Sequence, residues 1–162
     1  MSERSIAAHA LTAFSHEAKV SPFITLRGGN DIDNYGQPPP FDPSVDVISD
    51  EYLEQYAWGI GYLDAMSWRH YLPSLISYSV RRMAYGSNAI DALLNSLRPP
   101  DREPPRLASL SVEQQAVITE LLDLLAFSKE SVHQNLACQA LEEWWAPGAL
   151  YRSAPERGPS LP

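Results

Sequence analysis

The fold is decided by one stretch near the middle of the chain, Trp68-Arg-His-Tyr-Leu-Pro-Ser-Leu-Ile-Ser-Tyr-Ser-Val-Arg-Arg-Met-Ala-Tyr-Gly86. Apolar side chains recur along it at helical spacing, which predicts a buried helix on which the other helices pack. The side chains on its inner face are Ile76, Val80 and Met83. Pro73 suits the first turn of a helix, so we expect the helix to begin again there. Gly86 is expected to follow its end with a positive φ.

The same apolar periodicity predicts further helices on both sides of this stretch. They cover residues 2–19, 51–65 and 130–145, with one more beginning at Asn88 and another running from Ser111 to Phe127. The expected N-caps are Ser2, Asp50, Asn88 and Ser111, the last forming a capping box with Gln114. The predicted fold is therefore mainly α, a single compact bundle of about six helices over residues 1–147, followed by a disordered tail at 148–162.

One long connection interrupts the helical pattern. Residues 27–49 contain a glycine pair, several aspartates and three consecutive prolines, which predict an irregular, acidic, proline-containing loop. In the helix predicted after it, Gly59 and Gly61 indicate the close approach of another backbone, for which the opening helix is the candidate. At the other end of the chain, Trp144 is expected in the core and Trp145 at the surface.

Composition narrows the class of partner and the compartment. The 162 residues carry a formal net charge of −8, which disfavours binding to nucleic acid phosphates and favours a basic partner. Cys138 is the only cysteine, so no internal disulfide forms and a reducing, cytoplasmic location is expected. No apolar run reaches the length needed to span a membrane, so we predict no membrane partner. The sequence does not predict an oligomeric state.

Three short motifs are spread over residues 6–127. The first is Ala13-Phe14 leading to Gly28-Gly29-Asn30-Asp31, the second is Tyr71-Leu72-Pro73, and the third is Leu110-Ser111-Val112-Glu113-Gln114-Gln115. Together they resemble a family of bacterial proteins of similar length that has no agreed biochemical activity. Some acidic families of this kind look like immunity proteins, which are encoded beside toxins and neutralise them. The resemblance therefore implies a fold and, by that association, an immunity function.

The candidate site is an acidic segment that lacks basic residues. No Lys or Arg lies between Arg27 and Arg69, whereas carboxylates and aromatic side chains alternate there. Such a combination suits docking on a basic protein surface, with electrostatic steering of association. The predicted partner-binding residues are Asp31, Asp33, Asp42, Asp46, Asp50, Glu51, Glu54, Trp58 and Tyr62. The alternative interpretation is a solvated loop followed by an amphipathic helix with a charged face.

Patterns for catalysis, metals and cofactors are incomplete. A calcium-loop pattern begins at Asp31 and reaches Asp42 at its last position, but prolines interrupt it and the bidentate Glu is missing. His9 and His16 lack the partners of a zinc site, and Cys138 lies among apolar neighbours typical of a core thiol. His70 is expected to be a packed, hydrogen-bonded histidine. We therefore predict no enzyme activity, no metal and no cofactor.

Two functions from different classes remain. The first is an immunity-type protein that occludes the active site of a basic bacterial toxin. The second is a helical adaptor or regulatory protein that binds its partner through the proline-rich segments 37–43 and 99–105.

Overall fold

The computed structural model describes residues 3–99 and 105–152, and every regular element in these ranges is helical. In the first half the α-helices are α1 Glu3–Ala13, α2 Ser15–Lys19, α3 Leu26–Asp33, α4 Asp50–Gln55 and α5 Ala65–Arg82. In the second half they are α6 Asn88–Ser96, α7 Pro105–Ala108, α8 Val112–Phe127 and α9 Gln134–Ala140. A 3₁₀-helix, Ala57–Tyr62, follows α4, and a π-helical turn, Leu141–Trp145, follows α9. The predicted mainly α fold is confirmed, because the described residues form helices and no strand. Six of the described α-helices have seven or more residues.

The central helix is α5, as the sequence predicted. It packs against α1, α2, α6, α7 and α8, and its side chains Trp68, Tyr71, Leu72 and Ile76 are almost completely buried. Its N-cap is Asp64, whose carboxylate accepts a hydrogen bond from the backbone N–H of Ser67.

The predicted restart of this helix at Pro73 is wrong, because α5 runs through the proline without a break. Proline lacks an N–H, so only the hydrogen bond to the Arg69 carbonyl is lost, while the flanking turns and the burial of Pro73 hold the helix together. The predicted positive φ at Gly86 is also wrong, since α5 ends at Arg82 and Gly148 is the one described glycine with positive φ.

At the N-terminus the predicted helix 2–19 is divided at Phe14 into α1 and α2. The Phe14 side chain is fully buried, so the chain bends where it inserts into the core. Ser2, the predicted N-cap, lies outside the described residues.

The predicted irregular segment 27–49 is wrong over its first part, because Leu26–Asp33 form α3. The hydroxyl of Thr25 caps this helix by accepting a hydrogen bond from the backbone N–H of Gly28. The irregular loop is therefore limited to residues 34–49. The glycines of α3 weaken its intrinsic helicity, so tertiary packing decides its conformation.

Several helix starts were predicted to within a residue, whereas the last helix begins at Gln134 rather than at the predicted residue 130. Ser49 and Ser87 are the N-caps of α4 and α6, so the predicted caps Asp50 and Asn88 are instead the first helical residues. The capping box of Ser111 and Gln114 is confirmed, and α8 extends to Phe127 as predicted.

The predicted positions of the two C-terminal tryptophans are wrong. Trp145 is buried and its indole N–H donates to the Leu97 carbonyl at 2.7 Å, whereas Trp144 is half-buried beside Arg152. The π-helical turn widens the helix and changes which side chain faces inward. After it, the backbone N–H groups of Leu150 and Tyr151 donate to the carbonyls of Glu142 and Glu143. The rest of the predicted tail, 153–162, lies outside the described residues.

Candidate functional site

The site begins with a close crossing of two short helices, α3 and the 3₁₀-helix. A Cβ added to Gly29 would lie 2.9 Å from the Gly59 Cα, and one added to Gly59 would lie 2.7 Å from the Asn30 nitrogen. Both positions therefore require glycine. The predicted close approach at Gly59 is confirmed, but the neighbouring backbone belongs to α3 rather than to the opening helix. Gly61 has open space around it.

Two exposed aromatic side chains belong to the 3₁₀-helix of this crossing, and one of them contacts a carboxylate of α3. Trp58 and Tyr62 of the 3₁₀-helix are 48% and 44% exposed, and the Tyr62 hydroxyl donates to Asp33 Oδ1 at 2.9 Å. That hydrogen bond raises the pKa of Tyr62, and the nearby Tyr35 phenol raises it further. We call Asp33, Tyr35, Trp58 and Tyr62 the aromatic–carboxylate surface.

Tyr35 extends this surface at the end of α3. Its side chain is fully exposed and its φ is 62°. The sequence placed Tyr35 inside an irregular loop and did not select it as a site residue. The signal that would have found it is the Asn34-Tyr35-Gly36 sequence, which looks like a helix end only when α3 is known to precede it.

Asp46, which was predicted to contact a partner, is instead an interior anchor. Its carboxylate receives the Nε and Nη2 groups of Arg27, each at 3.0 Å, together with the Asp42 N–H at 2.8 Å and the Tyr52 hydroxyl at 2.7 Å. Burial alone would raise the pKa of Asp46, but these hydrogen bonds outweigh it and the pKa is lowered. Asp46 therefore stabilises the 34–49 loop and neutralises Arg27.

Glu54 has a similar structural role, although it is half-buried. It accepts hydrogen bonds from the hydroxyls of Tyr78 and Ser87 and from the Ala89 N–H, so it joins α4 to α5 and to the start of α6. Burial opposes its ionisation, but the donors together lower the pKa of Glu54 below its ordinary value.

The remaining predicted residues are spread over the surface. Asp50 forms a two-point ion pair with Arg81 at 3.0 Å, and Asp42 accepts from the N–H and hydroxyl of Ser44. The Arg81 and Ser44 donors lower the pKa values of Asp50 and Asp42 respectively. Glu51 is exposed in the first turn of α4, and Asp31 is half-buried on α3. Among the predicted residues, Asp33 and Tyr62 are thus linked by a hydrogen bond, whereas Asp46 is buried and Glu54 is half-buried among its donors.

The described residues also line three open grooves. One of about 510 Å³ includes Ile6, Glu120 and Phe127, and one of about 280 Å³ includes Leu11, Pro73 and Arg81. A third, of about 370 Å³, is lined by Phe127, Cys138, Trp145 and their neighbours. Cys138 is half-buried at its wall rather than enclosed in the core.

The histidine and aspartates that were considered for catalysis or metal binding have structural roles instead. His70 Nδ1 hydrogen-bonds the Glu17 carbonyl and its ring packs edge-on against Tyr71, as predicted for a packed histidine. Asp31 and Asp33, the first residues of the calcium-loop pattern, lie in α3 rather than in a loop. Within residues 3–99 and 105–152, no group of three His, Cys, Asp or Glu side chains is arranged to hold a metal ion. No described helix combines the length and apolar character needed to cross a bilayer.

Comparison with known proteins identifies a family for this chain. Neither a curated protein nor a solved structure matches the chain. A family profile described as a family of unknown function, DUF6714, matches residues 2–149. Because that match spans all but the last part of the sequence, the chain belongs to this family of unknown function.

Proposed function

We propose that this protein binds a protein partner with a basic surface, using the aromatic–carboxylate surface on α3 and the 3₁₀-helix. In the specific form of this proposal it is an immunity-type protein that neutralises a bacterial toxin by covering the toxin's basic active site. The chain then acts stoichiometrically in the cytoplasm and performs no chemistry of its own.

The observation that carries the proposal is the exposed Tyr62 hydrogen-bonded to Asp33, with exposed Trp58 on the same 3₁₀-helix and exposed Tyr35 just after α3. Aromatic side chains dominate the binding energy of many interfaces, and carboxylates steer a basic partner towards them. This surface stands on a rigid support, because the Gly29–Gly59 crossing leaves no space between the two helices.

Charge supports the same kind of partner. The net charge is −8, and the one basic residue of α3, Arg27, is neutralised by Asp46. Arg106 reaches the same region from α7, where its Nη1 donates to the Ile60 carbonyl. The immunity form of the proposal rests further on the resemblance of the three sequence motifs to a bacterial family, since some acidic families of this kind look like immunity proteins.

The test is binding to the protein encoded by the adjacent gene, measured at low and high salt. We expect Asp31→Lys with Asp33→Lys to weaken binding at low salt at least about tenfold, because two attractive charges become repulsive. Lysine is compatible with the last turn of α3, where a cation complements the helix dipole.

The matched control is Asp123→Lys with Glu130→Lys, which changes the net charge equally through two exposed residues elsewhere. Absence of binding, or equal weakening by the two pairs of substitutions, would contradict the proposed surface.

The adaptor alternative is supported by the exposure of Pro38 and Pro40 in the 34–49 loop. Of the other proline-rich segment, only Pro99 and Pro105 lie within the described residues. Under this alternative, replacing Pro38, Pro39 and Pro40 by alanine abolishes partner binding, whereas the lysine substitutions in α3 have little effect.

A further inference from the structure

The end of α3 places a tyrosine where the backbone favours glycine. Tyr35 is the one non-glycine residue with a positive φ in the parts of the chain that the structure describes. The Gly36 N–H donates to the Asp31 carbonyl at 2.7 Å, and the Tyr35 N–H donates to the Ile32 carbonyl at 2.9 Å. This pair of hydrogen bonds defines a Schellman motif, with Tyr35 at the position that is usually glycine or asparagine.

No contact in the described structure offsets the conformational cost of a tyrosine at this position. A side chain with a Cβ is disfavoured in the left-handed region, by about a factor of five or more in the folding equilibrium. The Tyr35 side chain is fully exposed, so it gains no burial. Its backbone would be satisfied equally well, and with less strain, by glycine. Stability of the fold therefore does not explain the tyrosine at this position. We infer that its exposed ring has a function.

Two other exposed residues, Asp33 and Tyr62, are linked to each other at this end of α3. The Tyr62 hydroxyl donates to Asp33 Oδ1 at 2.9 Å, and Tyr35 follows Asp33 by two residues at the end of α3. Asp33 and Tyr62 are both exposed to solvent. An exposed carboxylate thus lies against the exposed phenol of Tyr62 and two residues before the exposed Tyr35.

We propose that Tyr35, Tyr62 and Asp33 form a recognition site for an arginine side chain of the partner, with Tyr35 as its stacking anchor. This inference rests on the proposed function and specifies its chemistry. A guanidinium donates to a carboxylate and stacks on an aromatic face with the same planar group. A lysine ammonium is a strongly hydrated point charge without that planar face, so arginine fits this combination better.

The backbone strain is tested on the isolated protein. We expect Tyr35→Gly to raise the folding equilibrium constant about fivefold, measured by urea denaturation, because glycine adopts the left-handed conformation without a Cβ penalty. Tyr85→Gly is the control, since Tyr85 is also exposed but does not have a positive φ. It should give no increase. A Tyr35→Gly protein no more stable than the wild type would overturn the inference.

The recognition role is tested by calorimetric titration with hexa-arginine and hexa-lysine peptides. We expect the wild-type protein to prefer hexa-arginine, and Tyr35→Gly to weaken hexa-arginine binding about three- to fivefold while changing hexa-lysine binding little. Tyr35→Phe should keep the preference, because the ring is retained. None of these substitutions changes the net charge.

The outcomes separate this inference from the proposed function. If Asp31→Lys with Asp33→Lys weakens peptide binding but Tyr35→Gly does not, the anchor is overturned and the acidic surface stands. If neither weakens binding relative to Asp123→Lys with Glu130→Lys, both are overturned. Equal loss from Tyr85→Gly would likewise overturn the anchor.

Discussion

At the scale of single residues, the environment of each carboxylate decides its role. Asp46 and Asp50 both pair with an arginine, but the Asp46 side chain is completely buried and the Asp50 side chain is 47% exposed. A buried, hydrogen-bonded ion pair cannot lose one partner without leaving a desolvated charge, whereas an exposed pair is replaced by water. The two aspartates should therefore differ sharply on substitution.

We expect Asp46→Asn to lower the free energy of unfolding by about 3 kcal/mol, because the Arg27 guanidinium and the Asp42 N–H would face an amide in place of a carboxylate. Asp50→Asn is the control and should lower it by about 1 kcal/mol or less. Urea denaturation monitored by circular dichroism measures both. Equal effects of the two substitutions would contradict the buried role of Asp46.

The tryptophans give a second residue-scale prediction. Trp145→Ala should lower the free energy of unfolding by about 3–5 kcal/mol, since it removes a buried ring and leaves the Leu97 carbonyl without its indole donor. Trp58→Ala should lower it by about 1 kcal/mol or less, because the ring is half-exposed, while weakening partner binding. Thermal unfolding followed by affinity measurement distinguishes the two. A large stability loss at Trp58 would argue that this ring is structural.

At the scale of secondary-structure elements, the crossing of α3 and the 3₁₀-helix supports the whole candidate surface. Both elements are short and glycine-containing, so neither is a stable helix in isolation. Their mutual packing at Gly29 and Gly59, together with the Thr25 cap and the Arg27–Asp46 pair, holds them in place.

Gly59→Ala should destabilise the protein by about 3 kcal/mol, because the added methyl group would collide with the backbone of α3 at Leu26 and Asn30. Gly61→Ala is the matched control in the same helix, and with no atom within 4 Å of its new Cβ it should be neutral or stabilising by about 0.4–1 kcal/mol. Thermal unfolding by calorimetry compares them. Similar melting temperatures for the two variants would contradict the described crossing.

At the scale of the whole molecule, the acidic charge has two distinct components. Some carboxylates are held inside by donors, which lowers the pKa values of Asp46, Glu54 and Glu143. Others, such as Asp33 and Glu51, are exposed and contribute to the field that a basic partner would meet. The first component contributes to stability, and the proposed recognition depends on the second.

The interior carboxylates predict a loss of stability in acid. Because their folded-state pKa values are lower than the ordinary values of 3.8 for Asp and 4.5 for Glu, the unfolded chain binds protons more readily. The stabilisation is therefore complete above the ordinary values and is lost as the pH falls through the lower, folded-state values. Urea denaturation across a pH series should show this decline beginning near pH 5.

The double variant Asp46→Asn with Glu54→Gln should be less stable than the wild type at neutral pH and show a shallower decline in acid. A decline as steep as that of the wild type would mean that other groups cause it.

The sequence predicted the helical architecture closely but the candidate site only in part. The central position of α5 and the capping box at Ser111 followed from periodicity and from side chains within a few residues of each other. The helical state of α3 and the continuity of α5 through Pro73 did not, because packing outweighed the intrinsic preferences of glycine and proline.

By itself, therefore, the sequence determined the mainly α class, several helix starts and the base-free acidic segment between Arg27 and Arg69. Only the tertiary structure decided that Asp46 is buried and Glu54 half-buried among hydrogen-bond donors, that Trp145 rather than Trp144 is buried, and that Tyr35 combines a positive φ with an exposed side chain. The physical reason is the range of the interactions. Caps and periodicity act within one or two turns, whereas the burial and hydrogen bonds of a side chain depend on residues brought together from distant parts of the chain.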